Sequence, residues 1–408
     1  MHRLPAFFLL LLALVLSSCQ TPPVTASKDP LILISIDGFR WDYLQMYDVP
    51  TLRTLAAEGV HPRRLTPSFP SRTFPNHYTI VTGLRPEHHG IVNNLFYDPV
   101  QKAMFGKSDT AAAWWNGGEP VWVTAEKQGV RTASYFWPGS EAEIRGQRPT
   151  YFKKFSHDAS WNARVDQVLE WLALPEEKRP RFIALYFDGV DIAGHTFGPD
   201  APETAAAAHD IDAALARLQA GLAKLGLAQT ANLVVVSDHG MSAISPDRVI
   251  FFDDLMDMSQ VTVEANGPHG GVRPKPGVGV DALVASIRTK APPQLEVYRR
   301  ENLPPHLHYN SGDRVPPIVF VLADHWCIEQ KSGWGVLQAK FNKGNHGWDP
   351  AFPNMGALFI AHGPAFKRRV TFDAVENIHI YNLLCATLGL QPAPNDGDDT
   401  LVRAALAR

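Results

Sequence analysis

Short apolar runs recur along the chain at wide intervals, at residues 31–36, 131–136, 182–187, 233–237, 318–322 and 358–361. They lack the alternation of a strand that shows one face to water, so they read as central strands buried on both faces. The stretches between them have helical spacing. Residues 205–228 are rich in Ala and Leu, open on Pro202-Glu203-Thr204 and stop near Gly226, the pattern of a helix that covers a sheet. Buried strands joined by long crossovers predict an α/β fold in which a mostly parallel central sheet is flanked by helices on both faces. The Pro- and Gly-dense residues 267–276 read as an insertion loop. With no internal repeat, residues 31–408 are expected to form a single domain.

The start of the chain has a different pattern. Residues 7–16 are an unbroken apolar run behind Arg3, followed by Leu16-Ser17-Ser18-Cys19. The run falls short of the ~20 residues that a spanning helix needs, which marks residues 1–18 as a cleaved signal. Leu-Ser-Ser-Cys resembles the bacterial lipobox, which implies that Cys19 becomes the lipidated first residue of the mature protein. The polar residues 19–30 then serve as a tether. The expected location is the bacterial cell envelope, on the periplasmic side, with the membrane touched only through the lipid at Cys19.

Composition narrows the function. A net charge of −3 without a basic run lacks the electrostatic footprint of a duplex nucleic-acid binder. Three cysteines are too few for a disulfide framework; Cys327 and Cys385 remain, and only their separation decides whether they pair.

The chemistry lies where the strands stop. The first run ends in Asp37-Gly38, and the fourth ends in Asp238-His239-Gly240. Sites of open α/β sheets lie at the carboxyl ends of strands, so Asp37 and Asp238 can converge. A third strand leads into Asp191-Ile-Ala-Gly-His195, whose i, i+4 spacing puts both side chains on one helix face. Gly344-Asn345-His346-Gly347 adds an imidazole in a glycine-flanked loop. Three carboxylates and three imidazoles suit zinc better than magnesium, and two ions fit their number.

Thr73, in Ser71-Arg-Thr73-Phe-Pro-Asn-His77, precedes a proline and a helical apolar run and has the form of an N-cap. Such a helix start faces an anion with its positive dipole end, and a dication beside the hydroxyl turns it into a nucleophile. Asn94 is a candidate amide donor to a phosphoryl oxygen.

Taken in order, Ser35-Ile-Asp37-Gly-Phe-Arg, Pro70-Ser-Arg-Thr73-Phe-Pro-Asn-His, Asp191-Ile-Ala-Gly-His195, Ser237-Asp238-His239-Gly-Met and Asn345-His346-Gly resemble the nucleotide pyrophosphatase/phosphodiesterases of the alkaline phosphatase superfamily. The resemblance implies an alkaline-phosphatase-like catalytic domain over residues 31–408. It implies one zinc on Asp191, His195 and His346 and a second on Asp37, Thr73, Asp238 and His239. Thr73 would attack phosphorus to form a covalent phosphothreonine that water then hydrolyses. The Phe74 N–H and the Asn94 amide would hold the phosphoryl oxygen, and Phe74, Phe155 and Tyr186 would line a nucleobase slot. The implied substrate is a nucleotide or another small phosphodiester.

A sulfatase is disfavoured because Thr73-Phe-Pro-Asn-His has Thr in place of the Cys or Ser and His in place of the Arg of a formylglycine motif. Phosphonoacetate hydrolases and phosphomonoesterases of the same superfamily are the enzymatic alternatives. A lipid-tethered solute-binding protein is the non-enzymatic one.

Overall fold

The computed structural model describes residues 29–407. The expected signal 1–18, Cys19 and all of the tether before residue 29 lie outside the described residues.

Eight strands build the central sheet: β1 (Leu31–Ile36), β2 (Val60–Thr66), β3 (Thr132–Tyr135), β4 (Tyr151–Lys153), β5 (Phe182–Phe187), β6 (Asn232–Val236), β7 (Phe359–His362) and β8 (Val370–Glu376). Their order across the sheet is β8-β2-β7-β6-β1-β5-β3-β4. The block β6-β1-β5-β3-β4 is parallel, and β8 is parallel to β2. Only β7 runs against its neighbours β6 and β2.

The unbroken apolar runs have a direct cause. Leu31 and Leu33 of β1 enter one core, while Ile32, Ile34 and Ile36 enter another on the opposite face. Four helices matter for the site: α1 (Thr73–Thr82), α2 (Trp161–Leu172), α3 (Gly189–Phe197) and α4 (Pro202–Lys224). Tyr78, Ile80 and Val81 of α1 fill the first core; Val165 and Val168 of α2 and Ile211, Leu215 and Leu218 of α4 fill the second. Each such side chain contributes about 1.5–3 kcal/mol of burial. The helix expected at 205–228 is α4, which begins three residues earlier, with the proline Pro202 in its first turn.

Three sequence expectations change. Residues Ile318–Leu322 do form a strand, but in a separate four-stranded antiparallel sheet, between His269–Pro274 and Leu295–Arg299. The run is apolar because it packs in a third core with Phe252, Leu283 and Ile287; periodicity reports burial and does not say in which sheet. The 267–276 segment is no insertion loop: His269–Pro274 is an inner strand of that second sheet. A Cβ on Gly270 would meet the Ile328 side chain at 2.9 Å, and one on Gly271 would meet Pro316 at 2.5 Å, so its glycines serve close packing rather than a turn. Residues 358–361 correspond to β7, which is antiparallel. Cys327 and Cys385 are free thiols buried in different cores. Among the described residues no helix is long and apolar enough to cross a membrane.

Candidate active site

Parallel strands end at one edge, and there the polar residues meet. β1 runs into Asp37, β5 leads through Asp188 into α3 with Asp191 and His195, and β6 runs into Asp238-His239. Gly38 turns the chain after Asp37 at φ +70°. The two-residue bridge Gly344–Asn345 pairs with Ser242–Ala243, just beyond His239, and so holds the His346 loop against the same edge.

Asp191 Oδ1 lies 3.4 Å from His195 Nε2 and 3.6 Å from His346 Nε2. His239 Nε2 lies 2.8 Å from Asp238 Oδ2 and 3.4 Å from Asp37 Oδ1. The Thr73 hydroxyl oxygen is 3.3 Å from the same nitrogen. Asp37, Thr73, Asp191, His195, Asp238, His239 and His346 thus gather into one cluster, although they come from every part of the chain. Asp191 belongs to two groupings of ligand atoms, one with His195 and His346 and one with Asp37 and His239.

Each of the three imidazoles is oriented by a main-chain carbonyl. Nδ1 of His195 donates to Gly344 O at 2.8 Å, that of His239 to Gly240 O at 2.9 Å and that of His346 to Ser71 O at 2.7 Å. A carbonyl only accepts, so each proton sits on Nδ1 and each Nε2 presents a lone pair to the cluster. The 2.8 Å contact of His239 with Asp238 therefore joins two electron pairs, not a donor and an acceptor. Asp37 Oδ1, Asp191 Oδ1 and Asp238 Oδ2 are likewise buried without a hydrogen-bond donor. Burial, then Asp238 and Asp191, pushes the Asp37 carboxyl well above the usual carboxylate range; burial, then Asp191, does the same to Asp238. Converging lone pairs of this kind are costly unless a cation sits among them, and the carboxylate and imidazole set fits zinc.

Asp37 and Asp238 also come within reach of His77. That imidazole is already used: Nδ1 donates to Thr73 O and Nε2 accepts the Ser35 hydroxyl proton, both at 2.8 Å. It is a strut under the first turn of α1.

The N-cap expectation for Thr73 is corrected. Arg72, in extended conformation, holds the cap position, and Thr73 is the first helical residue, with its hydroxyl turned to His239 rather than to the helix backbone. The approach to that turn is fixed by the buried Asn76, whose Oδ1 accepts from Ser68 N–H and whose Nδ2 donates to the carbonyls of Ser68, Pro70 and Arg72. Phe74 N–H and Asn94 bond to each other: the N–H donates to Asn94 Oδ1 at 2.8 Å, which orients the amide.

The three aromatic residues are not alike. Phe155 is 42% exposed, with its ring 6.5 Å from that of Tyr186. Tyr186 is buried, and its hydroxyl donates to Asp37 Oδ2 at 2.6 Å. Phe74 is half-buried and packs on Phe105 and Trp115. Sequence reasoning assigned nothing to Ser35, Asn76, His77 or the Tyr186 hydroxyl. The available signals were a hydroxyl inside an apolar strand for Ser35 and Tyr186, and the i, i+4 spacing from Thr73 for His77.

A family profile described as type I phosphodiesterase / nucleotide pyrophosphatase matches residues 31–349. An uncharacterised pyrophosphatase/phosphodiesterase of Schizosaccharomyces pombe is 39% identical over 382 residues, 91% of this chain and 79% of the relative. Ectonucleotide pyrophosphatase/phosphodiesterase family member 1 of Mus musculus is 38% identical over 395 residues, 93% of this chain and 43% of the relative. The chain spans about half the length of the venom and mammalian relatives it matches. Among solved structures, an inactive threonine-to-alanine variant of murine ectonucleotide pyrophosphatase/phosphodiesterase 5 in complex with AMP superposes with a TM-score of 0.87 at 34% identity, covering 93% of this chain and all of that one. The profile runs through every motif that meets in the cluster, and the chain belongs to the type I phosphodiesterase / nucleotide pyrophosphatase family.

Proposed function

We propose that the protein is a two-zinc hydrolase of phosphodiester and phosphoanhydride bonds in nucleotides, with Thr73 as its nucleophile. The observation that carries this reading is the Thr73 hydroxyl at 3.3 Å from His239 Nε2, beside three buried carboxylate oxygens that have no proton donor. Asp191, His195 and His346 would hold one ion; Asp37, Asp238, His239 and the Thr73 oxygen would hold the other. When bound, such ions lower the pKa of a coordinated hydroxyl and offset phosphoryl charge.

The chain's own groups account for the rest. Thr73 stands at the N-terminus of α1, where the helix dipole favours the phosphoryl group. Its oxygen forms the new bond to phosphorus while the bond to the leaving oxygen breaks, and water later cleaves the phosphothreonine. With Oδ1 occupied by Phe74 N–H, Asn94 presents its NH₂ end to the phosphoryl oxygen, and Phe155 offers a ring face to a base. The AMP carried by the murine relative supports a nucleotide as substrate.

The test is turnover of bis(p-nitrophenyl) phosphate before and after chelation, with metal content measured in parallel. Cleavage is expected to stop on chelation, to return with zinc, and to be lost in Thr73→Ala while zinc stays bound. Full activity of that variant overturns the nucleophile, and faster cleavage of the mono-ester overturns the diesterase assignment. We further propose export and lipidation at Cys19; Cys19→Ser is expected to abolish palmitate labelling, and persistent labelling overturns that anchor.

A further inference from the structure

We propose that the Tyr186 hydroxyl is a positioning group for Asp37, fixing which carboxylate oxygen faces the cation beside Thr73; this rests on the zinc reading above. Tyr186 lies on β5, paired in parallel register with Ser35 of the adjacent β1. From there its O–H reaches the end of β1 and donates to Asp37 Oδ2 at 2.6 Å. Oδ2 is thereby engaged, and the oxygen left without a donor is Oδ1, which faces His239 Nε2 at 3.4 Å. A freely turning carboxylate would present either oxygen, or both. Hydrogen bonds to the outer side of a ligand remove that freedom and raise affinity for the metal.

Besides its hydroxyl, the tyrosine is held at two points. Its carbonyl accepts from Arg164 Nη1 at 2.8 Å, and the buried Arg164 is in turn paired with Asp188 at 3.0 Å and stacked on Trp161 and Phe136. Its ring lies edge-on to His77, with centroids 5.2 Å apart and planes at 79°. Only 7% of the residue is exposed, so little ring face remains for stacking a base, whereas the neighbouring Phe155 keeps 42%. The pair thus divides the work: Phe155 has the surface that a substrate ring can use, and Tyr186 has the bond that an acidic ligand needs.

Tyr186→Phe separates the two roles, because it keeps the ring and removes only the hydroxyl. Zinc uptake by the metal-stripped protein is followed by titration against a chromophoric chelator, alongside kcat and KM for a nucleotide diester and for bis(p-nitrophenyl) phosphate. The expected result is a zinc affinity about 10–100-fold weaker for one of the two ions, a kcat loss of the same factor for both substrates, and KM values unchanged within about twofold. A melting temperature close to wild type establishes that the variant is folded. Unaltered zinc affinity overturns the proposal, as does a KM increase confined to the nucleotide substrate, which would make Tyr186 a wall of the base slot. If the wild type itself takes up no zinc, the hydrolase reading falls together with this one. If the wild type is an active zinc enzyme and Tyr186→Phe matches it, only this inference falls.

Discussion

His77 lies one helical turn beyond Thr73 and donates its Nδ1 proton to the Thr73 carbonyl at 2.8 Å, while its Nε2 accepts the Ser35 hydroxyl proton at the same distance. The nucleophile's backbone is thus braced against β1, the strand that delivers Asp37. His77→Ala leaves the buried Ser35 hydroxyl without its acceptor, at a cost of about 1–3 kcal/mol, and opens a void between Trp137 and Tyr186, whose rings lie edge-on to the imidazole. We expect a lower melting temperature and a kcat reduced at least about tenfold, the loss that a misplaced reacting atom produces. A folded variant with wild-type kcat would show that the brace serves packing alone.

Asp191 stands between the two groups of ligand atoms, whereas His195 belongs to one of them. Removing the shared carboxylate takes a neutralising charge from both cation positions; removing the imidazole affects only one. Elemental analysis after dialysis is expected to find one zinc per chain in His195→Ala and clearly less than one in Asp191→Ala. Equal stoichiometry in the two variants would mean that the Asp191 charge supports only the ion it shares with His195 and His346.

Much of this was legible in the sequence, for identifiable reasons. β1, β5 and β6 appear as apolar runs because both of their faces are covered. Asp37 and Asp238 directly follow such runs, and His346 sits between glycines, so each had a local mark. Ile318–Leu322 carries the same mark and belongs to a different sheet, because which strand a run pairs with depends on partners distant in sequence. The sequence pattern places the start of the helix at Thr73 one residue late: the extended Arg72 caps it, and the threonine hydroxyl is freed for the site. Ser35 and Tyr186 were the least legible. Their partners lie 42 and 149 positions away, and nothing local tells a buried hydroxyl with a task from a tolerated one.

Gly38 provides a test of how tightly the strand ends are packed. Its φ of +70° is left-handed, and a Cβ placed there would meet the Asp191 Cα at 3.0 Å. The backbone conformation alone costs a non-glycine residue about 1–3 kcal/mol, and the contact is with main chain of α3, which cannot rotate away. Gly38→Ala is therefore expected to lower the melting temperature and, by displacing Asp191, to weaken zinc retention. A variant that loses stability while keeping both ions would confine the effect to the turn.

The acid sensitivity of the fold is set in part away from the site, at His89. This residue is fully buried; its Nδ1 accepts the Ile91 N–H at 3.1 Å, and Nε2 lies 3.0 Å from the Thr79 hydroxyl oxygen. Burial lowers its pKa to about 3, against an ordinary value near 6.5. The unfolded chain therefore takes up this proton at a pH where the folded chain does not, so unfolding gains in favour as pH falls. The contribution of His89 is fully present above about pH 6.5 and is lost between there and about pH 3, at up to about 1.4 kcal/mol per pH unit. Denaturant unfolding of metal-stripped protein between pH 7.5 and 5 is expected to show stability falling with acid. In His89→Phe, which cannot titrate, the stability at pH 7.5 is lower because Ile91 N–H loses its acceptor, but the pH slope is shallower. The slope is the decisive quantity: an unchanged slope in His89→Phe would mean that the imidazole already accepts its proton in the folded state.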